Sequence, residues 1–144
     1  MNVADLIKHR SEVFSITEET TVHDAARYLR DRKVRSAGVL GPDGRVVGVV
    51  SQSDISDRVA AENKCPAWMR VTEIMSRDLV TVSPEMSIDE CLVRMEKYSI
   101  FHLLVVDGEQ RFRGMISVTD LLRLIASDHK GRADLLESLV FPKR

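Results

Sequence analysis

The stretch Gly48-Val49-Val50-Ser51-Gln52-Ser53-Asp54-Ile55 recurs as Gly114-Met115-Ile116-Ser117-Val118-Thr119-Asp120-Leu121, at a constant offset of 66 residues. The match extends without a gap over residues 14–55 and 80–121. An internal repeat indicates two similar units that bury their apolar faces against each other. We therefore expect them to pack about a pseudo-two-fold axis, with two equivalent clefts between them, and clefts are where small ligands bind.

Composition narrows the class of protein. The chain has 144 residues, of which 44% are hydrophobic and 30% are charged, and its formal net charge is −1. These values are typical of one globular domain, here made of two half-domains. A net charge so close to zero provides no strong field for nucleic acid or an anionic membrane. We therefore expect no nucleic-acid partner. Because there is also no apolar run of roughly 20 residues and no signal-peptide character in residues 1–6, we expect a cytoplasmic protein without a membrane partner.

The two cysteines occur in unrelated settings. Cys91 falls on an apolar helical stripe, whereas Cys65 immediately precedes Pro66 in the stretch between the repeats. Two such residues are predicted to be free thiols in a reducing compartment rather than a disulfide.

Hydrophobic periodicity predicts the elements of the first repeat. Val3, Leu6 and Ile7 are spaced for one face of a short helix. A second helix begins near Val22, because the preceding threonines can cap it. The predicted order is a helix from residue 3, a strand over 14–16, a helix from 22 capped by Thr20 or Thr21, strands over 37–40 and 46–50, and a helix over 53–62. Both longer strands are nearly continuous in apolar residues, so we expect both to be buried on two faces.

The second repeat follows the same pattern, so each unit is β-α-β-β-α and the fold class is α+β. Its predicted elements are a strand over 79–82, a helix from 88 capped by Ser87, strands over 103–106 and 113–116, and a helix over 119–127. The predicted domains are repeat 1 over 1–62, a linker over 63–70, repeat 2 over 71–128 and a C-terminal helical tail over 129–144.

The tail carries an apolar stripe of its own. The residues on it are Ala133, Leu136, Leu139 and Val140. A helix this short is stable only when its apolar face is buried. Two interpretations remain open: the helix folds back on its own chain, or it forms an interface in a homodimer.

The repeat resembles the CBS domain, named for cystathionine β-synthase, over residues 3–127. One motif, Gly-h-h-Ser-x-Ser/Thr-Asp with h apolar, occurs in both copies at 48–54 and 114–120. The other appears as Ile100-Phe101-His102-Leu103-Leu104-Val105-Val106-Asp107. The chain is also similar to stand-alone bacterial proteins made of one CBS pair and a short C-terminal helix.

The resemblance implies a disc-like module, often a homodimer, whose clefts bind adenosine-containing ligands. The candidate ligands are AMP, ADP, ATP, NAD(H) and S-adenosylmethionine, with no obligatory cofactor. The family's usual Pro in the second motif is replaced by Leu104, and Gly38 stands there in the first copy. Because this is a packing position, binding is still expected.

Asp54 and Asp120 are the candidate ribose ligands, each in the first turn of a helix. A carboxylate there can accept two hydrogen bonds from a ribose 2′,3′-diol, and the free N–H groups of the helix suit phosphate. The hydroxyl groups beside them are those of Ser51, Ser53, Ser117 and Thr119. The same residue types are preferred helix caps, so capping and ligand binding are alternatives that can coexist.

By the resemblance, Arg35-Ser36 and Phe101-His102 face the phosphates of a nucleotide. The guanidinium of Arg35 matches phosphate geometry. His102 can contribute when protonated or through an N–H donor, or it is simply hydrogen-bonded at the start of a strand. Phe101 departs from the polar residue often found there, so it packs on a base or fills the cleft.

The resemblance also assigns residues before the first helix of each repeat. In related modules the position of Thr17 and Ser83 reaches into the partner repeat's site, although a plain turn role is an equal alternative here. The family holds adenine by backbone groups and apolar walls. The walls here are expected to be Ile16, Val82, Val22 and Ile88.

No catalytic constellation is present, and the four histidines lack metal-ligand spacing. We therefore expect a regulatory, non-enzymatic module without a metal site, which binds an adenine nucleotide and signals to an unidentified regulated protein. The alternative is a structural interaction or oligomerisation module with degenerate, empty sites. Phe101 and the C-terminal stripe fit that alternative.

Overall fold

The computed structural model describes residues 1–8, 10 and 12–128, so the predicted tail over 129–144 lies outside the described residues. The described chain is α+β, as predicted, and contains two three-stranded sheets. The helices are α1 (Val3–Ile7), α2 (Val22–Arg32), α3 (Gln52–Ile55), α4 (Ile88–Tyr98) and α5 (Val118–Asp128); the strands are β1 (Ser15–Thr17), β2 (Ser36–Leu40), β3 (Val46–Ser51), β4 (Thr81–Val82), β5 (His102–Val106) and β6 (Phe112–Ser117).

The chain divides into two compact units. The repeat-1 unit comprises residues 12–79 and 107–112, and the repeat-2 unit comprises the described residues among 1–11, 80–106 and 113–128. The strand order is β1-β2-β3 in one sheet and β4-β5-β6 in the other. β1 runs parallel to β2, and β4 runs parallel to β5, whereas β2 and β3 are antiparallel. The two repeats therefore share one strand order and the same parallel first pair.

The first helix of each repeat is capped in the same way at both ends. The side-chain oxygens of Thr21 and Ser87 accept hydrogen bonds from the N–H three residues on, at 3.1 and 3.2 Å. At the other end, Lys33 and Ser99 adopt left-handed conformations with φ of 57° and 54°. This reversal directs the chain into β2 and β5, the central strands.

Each unit has an apolar core built from equivalent positions. These residues are at most 8% exposed, and they lie on strands and on the inner faces of helices. The equivalent pairs, each 66 residues apart, are Ile16 with Val82, Val22 with Ile88, Val39 with Val105, and Val50 with Ile116. Residues at matching positions of the two repeats thus occupy matching places in the two cores.

The helix α1 packs into the repeat-2 unit. Val3 is fully buried in one core with Cys91, and its N–H donates to the carbonyl of Met86 at 2.9 Å. In the repeat-1 unit the equivalent role belongs to Val71, whose N–H donates at 3.0 Å to the carbonyl of Thr20, 66 residues before Met86. Each unit is therefore completed by the segment that precedes the other repeat.

The helix predicted over 53–62 is not a regular α-helix. After α3 the backbone widens into a π-type turn at Ser56–Ala60, in which the N–H of Ala61 donates to the carbonyl of Ser56, five residues earlier, at 2.8 Å. The wide turn carries Val59 into the core, where it is 2% exposed. In repeat 2, by contrast, α5 continues as an α-helix to Asp128.

The prediction of two buried faces holds for β2 but not for β3. The middle of β2, Ala37 to Val39, is buried throughout, whereas Val47 and Val49 of β3 are only half-buried. The reason is the strand order, because β2 is the central strand and β3 is at the sheet edge.

Across the described residues, none of the helices has the length and apolar character that a membrane crossing requires.

Candidate functional site

Ser51, the last residue of β3, and Asp54 cap each other. The Oδ2 of Asp54 accepts hydrogen bonds from the backbone N–H and the Oγ–H of Ser51, at 2.9 and 3.0 Å. In return, the N–H of Asp54 donates to the Oγ of Ser51 at 3.2 Å. This capping box holds the carboxylate in one orientation at the start of α3. The capping alternative predicted from the sequence is therefore present.

The second repeat has the same arrangement between Ser117 and Asp120. The N–H of Ser117 donates to Oδ2 of Asp120 at 2.8 Å, and the N–H of Asp120 donates to Oγ of Ser117 at 3.1 Å. In both repeats the Oδ1 of the aspartate receives no hydrogen bond from any residue that the structure describes. Each carboxylate thus keeps a free acceptor atom while its other oxygen is held by the cap.

Backbone contacts bring the start of each central strand beside this first turn. The N–H of Gln52 donates to the carbonyl of Arg35 at 2.9 Å, and the N–H of Val118 donates to the carbonyl of Phe101 at 3.0 Å. Ser36 is also the register partner of Ser51. The structure therefore brings together Arg35 and Ser36 with Ser51, Ser53 and Asp54 in repeat 1, and Phe101 and His102 with Ser117, Thr119 and Asp120 in repeat 2.

The side chains at the two strand starts differ in chemistry. Arg35 is exposed and makes no ion pair with any residue in the described part of the chain. Its counterpart Phe101 is 60% exposed. The first site thus presents a guanidinium at the position where the second presents an aromatic ring.

His102, the first residue of β5, offers a neutral imidazole. Although its side chain reaches the surface, partial burial lowers its pKa below the ordinary 6.5, and the charge of Asp120 opposes this shift only in part. At pH 7 and above the ring is therefore predominantly neutral. Of the two ligand roles predicted for this residue, the lowered pKa favours an N–H donor over a positive charge.

Asp120 has a partner that the sequence did not reveal. The Nη2 of Arg10 lies 2.9 Å from Oδ2 of Asp120, and its Nη1 donates to the carbonyl of Met115. The side chains of Arg10 and Asp120 are 34% and 26% exposed. Since Arg10 follows α1, the packing of α1 into the repeat-2 unit brings this cation to the site.

Thr17 and Ser83 are turn residues in the structure. Their carbonyls accept hydrogen bonds from the N–H groups of Thr20 and Met86, at 3.1 and 3.2 Å. Both side chains are exposed. The turn alternative is therefore present, and their contact with a ligand stays a prediction.

The four residues expected to form apolar walls around the adenine belong to the apolar cores. Ile16, Val22, Val82 and Ile88 are 8%, 0%, 2% and 6% exposed, respectively. They support the strand and helix that carry each site, and any contact with a base is limited to the small surface that remains.

A cavity of about 380 Å³ lies in the repeat-1 unit, and its lining includes none of the predicted site residues. Charged side chains of both signs surround it, and its lining consists of Arg58, Glu62, Lys64, Met69, Glu73 and Ile74. No group of three or more His, Cys, Asp and Glu side chains suited to a metal occurs in residues 1–8, 10 and 12–128.

A family model of the CBS domain matches residues 3–61 and again residues 71–127. The chain belongs to the CBS-domain family. The resemblance seen in the sequence is thereby confirmed for both repeats. Gly38 and Leu104, which replace the family's usual Pro, are both buried in this CBS pair, as expected of a packing position.

Solved structures of CBS-domain proteins are similar to this CBS pair. A CBS-domain protein from Burkholderia ambifaria is 26% identical with a TM-score of 0.78, and the match covers 90% of this chain and 96% of that one. The CBS domain pair of protein MJ0100, in complex with 5′-methylthioadenosine and S-adenosyl-L-methionine, is 25% identical with a TM-score of 0.75, covering 87% and 99%. Protein PAE2072 from Pyrobaculum aerophilum, complexed with AMP, shares the fold at 23% identity and a TM-score of 0.75, covering 88% and 99%.

Two curated relatives match this chain over part of a longer chain. Homoserine O-acetyltransferase from Methanococcoides burtonii is 35% identical over 124 residues, which cover 86% of this chain and 24% of the relative. The enzyme of the same name from Methanosphaerula palustris is 33% identical over 115 residues, covering 80% and 22%. This chain thus spans about a quarter of the length of these two relatives.

Proposed function

We propose that this CBS pair is a regulatory, non-catalytic module that binds an adenosine-containing ligand and signals its presence to another protein. One observation carries the proposal. Both repeats present the same capped carboxylate, Asp54 or Asp120, with a free Oδ1 beside the start of a central strand.

A carboxylate held in this way is suited to a ribose. The 2′- and 3′-hydroxyls of a ribose are two neighbouring donors, and a carboxylate accepts such a pair without needing a donor of its own. Because the cap already fixes the orientation of each aspartate, little side-chain entropy is lost on binding. Ser53 and Thr119, both exposed in the same first turns, add hydroxyl groups.

The phosphate of a nucleotide has a candidate partner in the first site. Arg35 is exposed at the start of β2, next to Ser36, and its guanidinium can bind phosphate through paired N–H donors. Relatives of the same fold support this ligand class, because their structures hold AMP or the pair of 5′-methylthioadenosine and S-adenosyl-L-methionine. The candidates for this chain are AMP, ADP, ATP, NAD(H) and S-adenosylmethionine.

A ligand acts on a regulated protein only through its different affinity for two conformations of the module. The proposed output is therefore a shift in the populations of these two conformations, which the partner protein senses.

Both cysteines are free thiols, which supports a reducing, cytoplasmic compartment.

The test is a thermal-shift titration of the purified protein with AMP, ADP, ATP, NAD, NADH and S-adenosylmethionine. A ligand that binds only the folded state should raise the apparent stability by about 2.7 kcal/mol at 100-fold over its Kd. The response should move to higher ligand concentration in the double variant Asp54→Ala/Asp120→Ala, because each site loses affinity. It should persist in Asp24→Ala/Glu90→Ala, which removes the same number of carboxylates from the first turns of α2 and α4. A flat response to all six compounds at millimolar concentration would contradict the proposal.

The second candidate is an interaction module with degenerate, empty sites that forms a homodimer or contacts another protein. Large exposed apolar side chains favour it, since Trp68 is 86% exposed and Phe101 is 60% exposed. Light scattering of the protein as it elutes from a size-exclusion column measures the molar mass and so the oligomeric state. A dimer that weakens in Trp68→Ala or Phe101→Ala, together with a flat ligand titration, would favour this candidate over the first.

A further inference from the structure

The two repeats differ in where their positive charge lies. In repeat 1 the cation beside the site is Arg35, at the start of β2. The residue 66 positions later is Phe101, and His102 next to it is predominantly neutral at pH 7 because burial lowers its pKa. Repeat 2 therefore has no positively charged side chain at the position that corresponds to Arg35.

Arg10 supplies a guanidinium to repeat 2 instead. In repeat 1 the carbonyl of Val49 accepts the backbone N–H of Ser76 at 2.8 Å. In repeat 2 the counterpart of that carbonyl is Met115, and it accepts the Nη1 of Arg10. The same side chain reaches Asp120 through Nη2 at 2.9 Å. Asp54, the counterpart of Asp120, has no ion pair within the described residues, so this cation is particular to the second site.

The guanidinium retains capacity for a further acceptor. It has five N–H donors in a planar fork, and the structure gives it Met115 and Asp120 as partners. The Arg10 side chain is 34% exposed, so solvent or a ligand can reach it. Its contact with Asp120 uses Oδ2, which leaves Oδ1 of that carboxylate free for a ribose.

We infer that Arg10 is the phosphate ligand of the second site and makes it selective for anionic adenosine nucleotides over uncharged adenosine derivatives. The inference rests on the proposed function, because it assumes a ribose on Asp120. An adenosine bound there brings no anion to the guanidinium. A nucleotide adds a phosphate that can accept its remaining N–H groups in charge-assisted hydrogen bonds.

The experiment compares AMP with adenosine by calorimetry at pH 7.5. Asp54→Ala removes the ribose acceptor of the first site and weakens it, so the tighter binding event in this variant reports the second site. We expect AMP to bind Asp54→Ala at least about tenfold more tightly than adenosine, as hydrogen bonds between charged groups allow. In Asp54→Ala/Arg10→Gln the ratio should fall to about twofold or less, through a loss of AMP affinity with little change for adenosine.

The matched control is Asp54→Ala/Arg30→Gln. Arg30 is 69% exposed on α2 and pairs with the adjacent Asp31, so this variant also removes one guanidinium but should keep the AMP preference. Thermal melts of all variants establish that they are folded. Partial recovery of the preference in Asp54→Ala/Arg10→Lys would further support a charge at this position.

Three results would overturn the inference while leaving the proposed function in place. One is an AMP preference that Arg10→Gln does not change. Another is AMP binding that appears or tightens when Arg10 is replaced, since Arg10 would then block the site. The third is wild-type protein that binds AMP while Asp54→Ala binds none. If wild-type protein binds no adenosine ligand at all, the proposed function fails and the inference fails with it.

Discussion

The carboxylate of Asp54 accepts both the N–H and the Oγ–H of Ser51, at 2.9 and 3.0 Å, so one residue serves the fold and the proposed site together. A substitution at Asp54 therefore has two separate effects. One is on the free energy of unfolding through the cap, and the other is on affinity through the free Oδ1.

Asp54→Ala should lower the affinity for AMP at its own site by about 1–3 kcal/mol, the range for hydrogen bonds to a charged group. It should also lower the free energy of unfolding by about 1 kcal/mol, because the capping box is broken. Calorimetry measures the first quantity and urea denaturation measures the second.

Thr21→Ala is the control for that experiment. It removes the cap of α2 in the same unit, so it should cost similar stability, about 1 kcal/mol, while AMP affinity stays unchanged. If the two variants weaken AMP binding equally, the effect at Asp54 is structural and the ribose assignment is wrong.

Gly48→Ala should destabilise the protein by about 1–3 kcal/mol through overpacking. Gly48 is buried, and a Cβ there would meet the side chain of Met75 and lie 3.0 Å from the carbonyl oxygen of Ser76. Urea denaturation measures the loss. Trimming the neighbour in Gly48→Ala/Met75→Ala should recover part of it, so the two single losses should not add.

The counterpart Gly114 provides a contrast with a different physical cause. A Cβ there would meet nothing within 4 Å, but φ is +132°, a conformation that L-residues rarely adopt. Gly114→Ala should therefore be destabilising through backbone strain of about 1–3 kcal/mol. Strictly additive losses in Gly48→Ala/Met75→Ala would contradict the steric explanation for Gly48.

Cys91 should make stability fall at alkaline pH. Burial raises the pKa of its thiol from 9.0 to about 11, partly opposed by the charge of Arg94. Between these values the unfolded chain loses a proton that the folded chain keeps, so the stabilising contribution present below pH 9 disappears as pH rises towards 11. The loss is on the order of 2 kcal/mol.

Urea denaturation of Cys91→Ala and Cys65→Ser at pH 8, 9 and 10 tests this expectation. The fall in the free energy of unfolding should be smaller in Cys91→Ala than in wild type and unchanged in Cys65→Ser, since Cys65 is exposed. Equal falls in all three proteins would exclude Cys91 as the cause.

His102 should contribute to the loss of stability in mild acid. Its pKa is lowered in the folded state by partial burial, so the unfolded chain takes up a proton more readily. The contribution is present above the ordinary value of 6.5 and is lost as pH falls through the lowered pKa. The free energy of unfolding between pH 7.5 and 5.5 should depend less on pH in His102→Gln than in wild type, and identical slopes would contradict this.

Local patterns made much of the fold and site predictable. Ser51 and Asp54 are three residues apart, and their relation to Ser117 and Asp120 is a constant register shift. Helix caps and apolar stripes depend on such short spacings, so the sequence carries them directly. The prediction for Arg35 came instead from the resemblance to the CBS domain, because no short spacing in the sequence links it to Asp54.

What the sequence could not reveal depends on contacts between distant segments. Arg10 and Asp120 are 110 residues apart, and Arg10 lies outside the register that relates the repeats. The destination of α1 is a tertiary choice, because an apolar stripe indicates burial but not which core receives it. The wide turn at Ser56–Ala60 likewise follows from packing of Val59, since residue propensities there are compatible with an α-helix.

The packing of α1 also bears on the order in which the protein can form during synthesis. Residues 12–79 leave the ribosome as one nearly complete unit and can begin to fold early. Val3 is made before them, yet its core partner Leu121 is made 118 residues later. At translation rates of about 5–20 residues per second, α1 waits roughly 6–24 s for its core. During that interval its apolar face is exposed to chaperones and to other nascent chains, so α1 is made before the repeat-1 unit but is buried after that unit can fold.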